Sequence, residues 1–178
     1  IEELIVEVGI TKSGFFYHFR DKGELAKALL ERYLEREETM FDELFERARE
    51  LDEDPLHAFL IGLKLLAELM ADLPETHPGC LVASYCYQEN MFNRDVRDLN
   101  REGVLRWRQR FRAHLEAIAE RYPPRLDVDL DHLADMFSAL ADGGIILAKV
   151  VREKEVLPQQ LMLYREFVRS VFLGTNRN

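Results

Sequence analysis

Residues 9–25 read GITKSGFFYHFRDKGEL, and this segment carries the strongest structural signal in the chain. It follows a short amphipathic pattern over residues 1–8, which predicts a first helix. Gly9 ends that pattern and tolerates the positive φ that a tight turn needs. Thr11 is a favourable N-cap for a second short helix over residues 13–19. The segment therefore predicts two short helices joined by a tight turn.

A third and much longer helix is predicted to follow directly. Asp21 caps this helix, and Glu24 is its expected partner in a capping box. Phe15 and Phe19 are four residues apart and are expected to point inward from the second helix. This pattern is that of a helix-turn-helix, in which the first helix braces the second and the second presents its N-terminal residues to DNA bases.

Residues 9–25 resemble, without a gap, the head motif of the TetR family of transcriptional regulators, whose members typically show runs similar to GVSKGTLYHYFKSKEEL. The resemblance implies that the head binds double-stranded DNA. It further implies contacts to bases and phosphates from the start of the second helix, its exposed aromatic residues and the start of the third helix: Thr11, Lys12, Ser13, Gly14, Phe16, Tyr17, His18 and Lys22.

The roles of these residues follow from their chemistry. Thr11 and Lys12 lie at the helix start, where side chains can reach into the major groove. Tyr17 and His18 carry polar tips on stiff rings, which suit phosphate oxygens. The family often has Tyr where this chain has Phe16, so one phosphate-binding hydroxyl is missing and Tyr17 or His18 is expected to replace it. The family also has a helix before the one that opens this chain, and we expect that helix to be absent from this sequence.

The bulk composition excludes several other classes of protein. Apolar residues make up 47% and charged residues 32%, which is typical of a globular chain. The net charge of −9 argues against a protein whose whole surface coats nucleic acid, although residues 11–22 carry three cations and one anion, a local charge of +2. Charged residues interrupt the most apolar stretch and the two cysteines suit a reduced interior, so the sequence predicts a cytoplasmic protein with no membrane partner.

Helical periodicity continues through the rest of the chain, and strand signals are almost absent. We predict an all-α fold of about eight helices, with a helix-turn-helix head over residues 1–27, incomplete at its amino end, and an effector-binding and dimerisation domain over residues 28–178. The predicted helices beyond the head are 22–51, 56–70, 80–90, 95–122, 131–151 and 158–173. The core-facing stripe of the long helix is predicted to be Leu25, Leu29, Tyr33, Met40, Leu44 and Phe45.

The last two helices are expected to form a homodimer. In proteins that resemble this one, these helices build a four-helix bundle with the partner subunit, and two heads about 34 Å apart would match successive major-groove faces of a palindrome. The alternative is that the same faces pack only within one subunit. The predicted dimer residues are Leu140, Gly143, Gly144, Leu147, Leu161, Tyr164, Phe167 and Val168.

An effector pocket is a further prediction. Apolar and aromatic residues of several helices could surround a cavity for a small apolar or aromatic molecule of unknown identity. Residues of these types at helical spacing are also typical of a hydrophobic core without a cavity. These residues are Phe59, Leu63, Leu66, Met70, Tyr85, Met91, Trp107, Phe111 and Phe137.

The sequence thus predicts a ligand-controlled transcriptional regulator, a repressor released from its operator by the effector, which is not an enzyme and needs no cofactor or metal. One alternative is a helical dimeric adaptor that does not recognise DNA. A second is an enzyme that uses Cys80 with His77, although no third orienting group is visible. A metal site at His132 with Asp129, Asp131 and Asp135 is less favoured, because this spacing is common on solvated helix faces.

Overall fold

The computed structural model describes residues 1–174, which form eight α-helices, one 3-10 helix and no strand. The all-α prediction is confirmed. The helices are α1 (Glu2–Val8), α2 (Lys12–His18), α3 (Lys22–Leu51), α4 (Pro55–Ala71), α5 (Leu81–Tyr87), the 3-10 helix Glu89–Met91, α6 (Arg94–Arg121), α7 (Leu130–Val151) and α8 (Val156–Leu173).

The predicted helix limits agree with these bounds to within a few residues. The largest difference concerns the helix predicted over residues 80–90, where α5 ends at Tyr87 and a short 3-10 helix follows. Residues 175–178, which end the predicted second domain, lie outside the described residues.

The chain divides into two compact units. The first unit is Ile1–Glu37 with Leu81–Gly103, and the second unit is Glu38–Cys80 with Val104–Asn178. The first unit therefore contains α5 and the start of α6 in addition to the head predicted over residues 1–27. The domain boundary after residue 27 stays a prediction.

The core of the first unit joins the start of α3 to α5 and α6. The buried Tyr85 hydroxyl donates a hydrogen bond to the backbone oxygen of Ala26 at 2.9 Å, and its ring stacks on Phe92 with 4.3 Å between ring centroids. Gly103 allows α6 to approach Leu34, because a Cβ at this position would lie 2.6 Å from Leu34 Cδ2. Segments far apart in the sequence thus stabilise the base of the head.

The buried face of α3 differs from the predicted stripe. Of the predicted residues only Phe45 belongs to the core, and Leu29 is 48% exposed. The residues of α3 that are buried are Ala26, Leu30, Leu34, Phe41, Phe45 and Ala48. The prediction was wrong because two adjacent apolar residues occur at several turns and the first of each pair was chosen. The buried residues Leu30, Leu34 and Phe41 each follow a predicted residue by one position.

An aromatic cluster fills the core of the second unit. Phe111 and Phe137 stack with 3.9 Å between their centroids, and Phe45 stacks on Phe59 at 5.6 Å. Phe41 packs edge-on against Phe111 at 5.6 Å. The cluster draws its rings from α3, α4, α6 and α7, so these helices share one core within this unit.

The helix α8 is fixed to its neighbours by polar as well as apolar contacts. The fully buried Tyr164 donates its hydroxyl hydrogen to the backbone oxygen of Leu133 at 2.9 Å. Arg165 Nε donates to the backbone oxygen of Leu60 at 3.0 Å. The residues of α8 that face α4 and α7 therefore pack within the chain.

Gly62 is the position where the aromatic cluster meets α4 most closely. A Cβ at Gly62 would lie 2.4 Å from both Cδ1 and Cε1 of Phe45. Because the Phe45 ring is itself held in the stack on Phe59, it has little room to move away. A glycine is therefore required at this point of the helix.

His114 of α6 packs on the same cluster. Its ring centroid lies 4.6 Å from that of Phe45 and 5.4 Å from that of Phe59. Burial, together with the positive charges of Arg49 and Arg110, lowers the pKa of His114 to about 4. The imidazole is therefore neutral near pH 7.

We expect Gly62→Ala to lower the free energy of unfolding by about 1–3 kcal/mol, because the added methyl group collides with the Phe45 ring. Urea unfolding followed by circular dichroism measures this loss. Lys64→Ala on the same helix is the control, since Lys64 is exposed and its substitution should change the free energy of unfolding by no more than about 0.5 kcal/mol. Equal stability of the two variants would contradict the close approach at Gly62.

We expect acid to destabilise the protein partly through His114. The pKa of His114 is lower in the folded chain than its ordinary value of 6.5. Between these two values the unfolded state therefore binds a proton that the folded state does not bind, and this favours unfolding. The resulting loss from pH 7 to pH 5 is about 2 kcal/mol. Urea unfolding at both pH values should show a loss smaller by this amount in His114→Gln, and an equal loss in both proteins would contradict the assignment.

Candidate nucleic-acid interface

The turn between α1 and α2 is built around Gly9. Its φ is 71° and ψ 28°, which is the left-handed conformation expected from the sequence. The N–H of Gly9 donates to Val6 O at 3.3 Å and that of Ile10 donates to Ile5 O at 3.0 Å. These two bonds form a Schellman motif, which satisfies the last carbonyl groups of α1 and turns the chain sharply into α2.

The N-terminus of α2 is capped by Thr11, as predicted. The Thr11 side-chain oxygen accepts the backbone N–H of Gly14 at 3.1 Å, and its hydroxyl lies 3.1 Å from that of Ser13. Gly14 lies tight against the cap, since a Cβ there would be 3.3 Å from Thr11 Oγ1. The first turn of α2 is thus compact and presents small polar groups.

Phe15 is the one aromatic residue of α2 that is buried, and the others lie at the surface. Phe15 is 4% exposed, and Phe19 beyond the end of the helix is half-buried, with 5.8 Å between their ring centroids. Phe16 is 44% exposed and Tyr17 is 84% exposed. His18 is also exposed and lies edge-on to Tyr17 at 5.0 Å. The outward face therefore carries an aromatic surface with polar tips.

The cations of the head lie near the two helix starts. Lys12 Nζ is 2.7 Å from Glu2 Oε1 of α1, and both side chains are exposed. Arg20 Nε is 3.2 Å from Glu24 Oε2. Lys22 is exposed at the first residue of α3.

The start of α3 has a variant of the predicted capping box. Asp21 Oδ1 accepts the backbone N–H of Glu24 at 2.9 Å, which is the expected cap. The carboxylate of Glu24, however, accepts the backbone N–H of Arg20 at 2.6 Å, one residue before the cap. The hydrogen bonds from Arg20 lower the pKa of Glu24, so this carboxylate stays charged and fixes the link between α2 and α3.

All eight predicted DNA-contacting residues lie within or beside α2 and at the start of α3. Seven are exposed and Gly14 is partly buried at the cap. The geometry therefore presents, at one short capped helix, hydroxyl, ammonium, phenol and imidazole groups that can donate hydrogen bonds to base edges and phosphate oxygens.

The residues predicted to line an effector pocket are divided between the units. Tyr85 and Met91 belong to the first unit, where Met91 is 74% exposed. The others belong to the second unit, where Met70 is partly buried and the rest are at most 9% exposed: Phe59, Leu63, Leu66, Met70, Trp107, Phe111 and Phe137. Because the Phe111 ring contacts the rings of both Phe59 and Phe137, these three residues serve as core of that unit.

An open groove of about 510 Å³ lies along α6 in the second unit. It is lined by Glu38, Arg106, Trp107, Gln109, Arg110, Ala113 and His114. Among these, only Trp107 was a predicted pocket residue. The signal that could have found the groove is the row of Arg106, Arg110 and His114 at successive helical turns around the single tryptophan.

The predicted dimer residues separate into two groups. Leu161, Tyr164 and Val168 are at most 1% exposed and Gly144 packs on Leu157 of the same chain. Leu147, by contrast, is 49% exposed. Leu140, Gly143 and Phe167 are partly buried, and a Cβ at Gly143 would meet no atom within 4 Å. Only this second group is open to a partner.

The alternative sites have ordinary local partners. The buried Cys80 is hydrogen-bonded to Asp142, and His77 Nδ1 accepts the N–H of Gly79 at 3.2 Å. Asp129 caps α7 by accepting the N–H of His132 at 3.0 Å. Within residues 1–174 no group of three or more His, Cys, Asp or Glu side chains is arranged to hold a metal ion. None of the helices in that range is both long and apolar enough to cross a membrane.

Comparison with known proteins gives matches only at the level of structure. No model of a protein family matches the sequence, and no curated protein matches it. The regulatory protein TetR from Rhodobacter sphaeroides is 26% identical, with 94% of this chain and 85% of that chain covered and a TM-score of 0.69. A TetR-family transcriptional regulator from Agrobacterium tumefaciens is 21% identical, with 96% and 85% covered and a TM-score of 0.75.

A third match is a further regulator with the same fold. A TetR transcriptional regulator from Chloroflexus aurantiacus is 20% identical, with 94% of this chain and 82% of that chain covered and a TM-score of 0.72. The chain has the TetR-like fold, and its structural neighbours along almost its whole length are transcriptional regulators of the TetR family.

Proposed function

We propose that this chain is a transcriptional regulator that binds palindromic operator DNA as a homodimer. The observation that carries the proposal is the outward face of α2, where Lys12, Tyr17 and His18 are exposed while Phe15 is buried beneath them. A short helix held in this way can enter the major groove with its N-terminal turn leading.

The proposed DNA contacts follow from the position of each group. Lys12 and Ser13 in the first turn of α2 would donate to base edges. The phenol of Tyr17, on a ring that is 84% exposed, would donate to a phosphate oxygen. Lys22 would bind a second phosphate at the start of α3, where the positive end of the helix dipole adds to the attraction.

On DNA, Lys12 would leave its ion pair with Glu2 and bind the nucleic acid instead. Both side chains are largely exposed, so water screens the pair and it contributes little stability. A base edge or phosphate could therefore displace Glu2 at small cost. Before binding, Glu2 would hold the Lys12 ammonium close to α1.

The homodimer would form through an apolar surface on α7 and α8. This surface, the α7/α8 face, consists of exposed residues of the second unit: Ile146, Leu147, Val150, Val151 and Leu163. Gly143 on α7 leaves open space in which a partner helix could approach closely. Pairing this face with its copy by a two-fold axis would bury it and give two heads, as a palindrome requires.

We further infer that the protein is a repressor released by a small effector. Effector binding would favour a conformation of the dimer in which the distance between the two heads does not match the operator. The shift in population is set by the difference in effector affinity between the two conformations. The open groove on α6 supports this reading, because its volume lies within the ordinary range for small-molecule sites.

We expect Lys22→Gln to weaken binding to all duplexes and to lower the slope of log K against log salt concentration by about one unit. The physical reason is that one phosphate contact, with its released counterion, is lost. Fluorescence anisotropy should be measured on a palindromic duplex selected from a random pool by the unaltered protein, and on a mixed-sequence duplex.

The matched control is Lys64→Gln on α4, which changes the net charge equally but lies in the second unit. Its slope should equal that of the unaltered protein. An unchanged slope in Lys22→Gln would remove Lys22 from the phosphate contacts. Failure of the unaltered protein to select any duplex would contradict DNA recognition and favour the adaptor alternative.

We expect Val150→Glu to convert the homodimer to monomer. Val150 is 73% exposed in the single chain, so glutamate should not disturb its folding, but an unpaired charge buried between subunits costs several kcal/mol. Light scattering after size-exclusion chromatography measures the mass. Leu126→Glu is the control, since Leu126 is 45% exposed outside α7 and α8. A dimer in both variants would place the interface elsewhere.

A further inference from the structure

Residues 72–80, here called the strap, connect α4 to α5 and are held by two lysines at the end of α7 and just beyond it. Lys149 Nζ of α7 donates a hydrogen bond to the backbone oxygen of Pro78 at 2.5 Å. Lys154 Nζ donates to the backbone oxygen of Leu73 at 3.2 Å. Both ends of the strap are therefore attached to the same region of the second unit.

His77 closes a turn within the strap. Its Nδ1 accepts the backbone N–H of Gly79 at 3.2 Å, so this nitrogen carries no proton in the observed conformation. Gly79 has a φ of 133°, which residues with a side chain rarely adopt. The next residue, Cys80, is 8% exposed and is hydrogen-bonded to the carboxylate of Asp142 on α7. A neutral imidazole therefore closes the turn that leads directly into the buried Cys80.

The surroundings of His77 oppose its protonation. The charged groups of α7 that act on it are Lys149 and Asp142, and the other titratable residues of the strap are Asp72, Glu75 and Cys80. Burial and the positive charge of Lys149 lower the pKa of His77, whereas the negative charge of Asp142 acts in the opposite direction. A proton on Nδ1 would also direct an N–H toward the N–H of Gly79 and break their hydrogen bond.

We propose that the strap is an acid-sensitive latch, which stays closed on α7 while His77 is neutral and opens when His77 is protonated. In the open strap the imidazole meets water and binds a proton more tightly than in the closed strap. The open form therefore gains as the pH falls below the ordinary histidine pKa of 6.5. All of these groups belong to the second unit, so the proposal does not rest on DNA recognition.

The thiol of Cys80 reports on opening, because it is buried while the strap is closed. The exposed Cys86 would react as well and is replaced in the otherwise intact chain by Cys86→Ser. The rate of reaction with dithiodipyridine, which also reacts in acid, is divided by the rate for the same chain unfolded in urea. This ratio gives the fraction of open strap at each pH. We expect it to rise about three- to tenfold from pH 7.5 to pH 5.5.

The decisive variant is His77→Asn. Its Oδ1 takes the place of Nδ1 and can accept the N–H of Gly79 without binding a proton, so the open fraction should change by less than about twofold over this pH range. Burial raises the pKa of Asp142, and its proton uptake favours the closed strap, but Asp142 is present in both proteins. The matched control is His132→Asn, an exposed histidine on α7, which should keep the full rise.

A second variant acts on the lysine that holds the strap. Lys149→Met removes the donor to Pro78 and the positive charge that opposes protonation of His77. Lys149 is exposed, so its substitution should leave the fold intact, and circular dichroism checks this for every variant. We expect a larger open fraction already at pH 7.5 and a smaller rise toward pH 5.5.

Urea separates opening of the strap from unfolding of the whole chain, which acid also favours through His114. Local opening exposes little surface, so 1 M urea should raise the open fraction by less than about twofold, whereas global unfolding would raise it about tenfold or more. The proposal is overturned if the open fraction does not rise in acid, if His77→Asn shows the same rise as the parent protein, or if the rise has the urea dependence of global unfolding.

Discussion

The burial of Phe15 beneath α2 is the contact on which the functional reading depends. A seven-residue helix is too short to be stable alone, so its conformation and its outward face depend on tertiary packing. With Phe15 fixed inward, the 100° spacing of helical residues turns Ser13 and Tyr17 to the outside. The turn at Gly9 and the cap at Thr11 then determine where that face begins. If Phe15 turned outward, the same sequence would present an apolar surface in place of a hydrogen-bonding one.

The head could be predicted because its signals are local. A left-handed glycine, a threonine cap and an aspartate cap each act over three or four residues, and all appear in the structure where the sequence placed them. The bounds of α3 were equally readable, since Asp21 begins the helix and a polar segment ends it after Leu51. The capping box differs from the prediction in one detail. The Glu24 carboxylate accepts the backbone N–H of Arg20 and not that of the cap residue Asp21. Which of two adjacent N–H groups a carboxylate reaches depends on the side-chain conformation, which the sequence does not show.

The body was predictable only in outline, because its decisive contacts are not local. Tyr85 was expected among the pocket residues, yet its hydrogen bond to Ala26 places it in the core of the first unit. The groove on α6 depends on Glu38, which lies far away in the sequence. The adjacent glycines of α7 illustrate the same limit: Gly144 packs on Leu157 while Gly143 faces open space, and nothing in the local sequence separates them.

The distribution of sites over two units has a consequence for regulation. The proposed DNA-binding side chains belong to the first unit, whereas the α7/α8 face and the groove on α6 belong to the second. The helices α3 and α6 contribute residues to both units, so each is a continuous helix through which a ligand could influence the head. Arg106 and Arg110 in the groove are paired with Glu38 and Asp42 of α3. A ligand that competes for either guanidinium would change the ion pairs between these same two helices, which links occupancy of the groove to the elements that continue into the head.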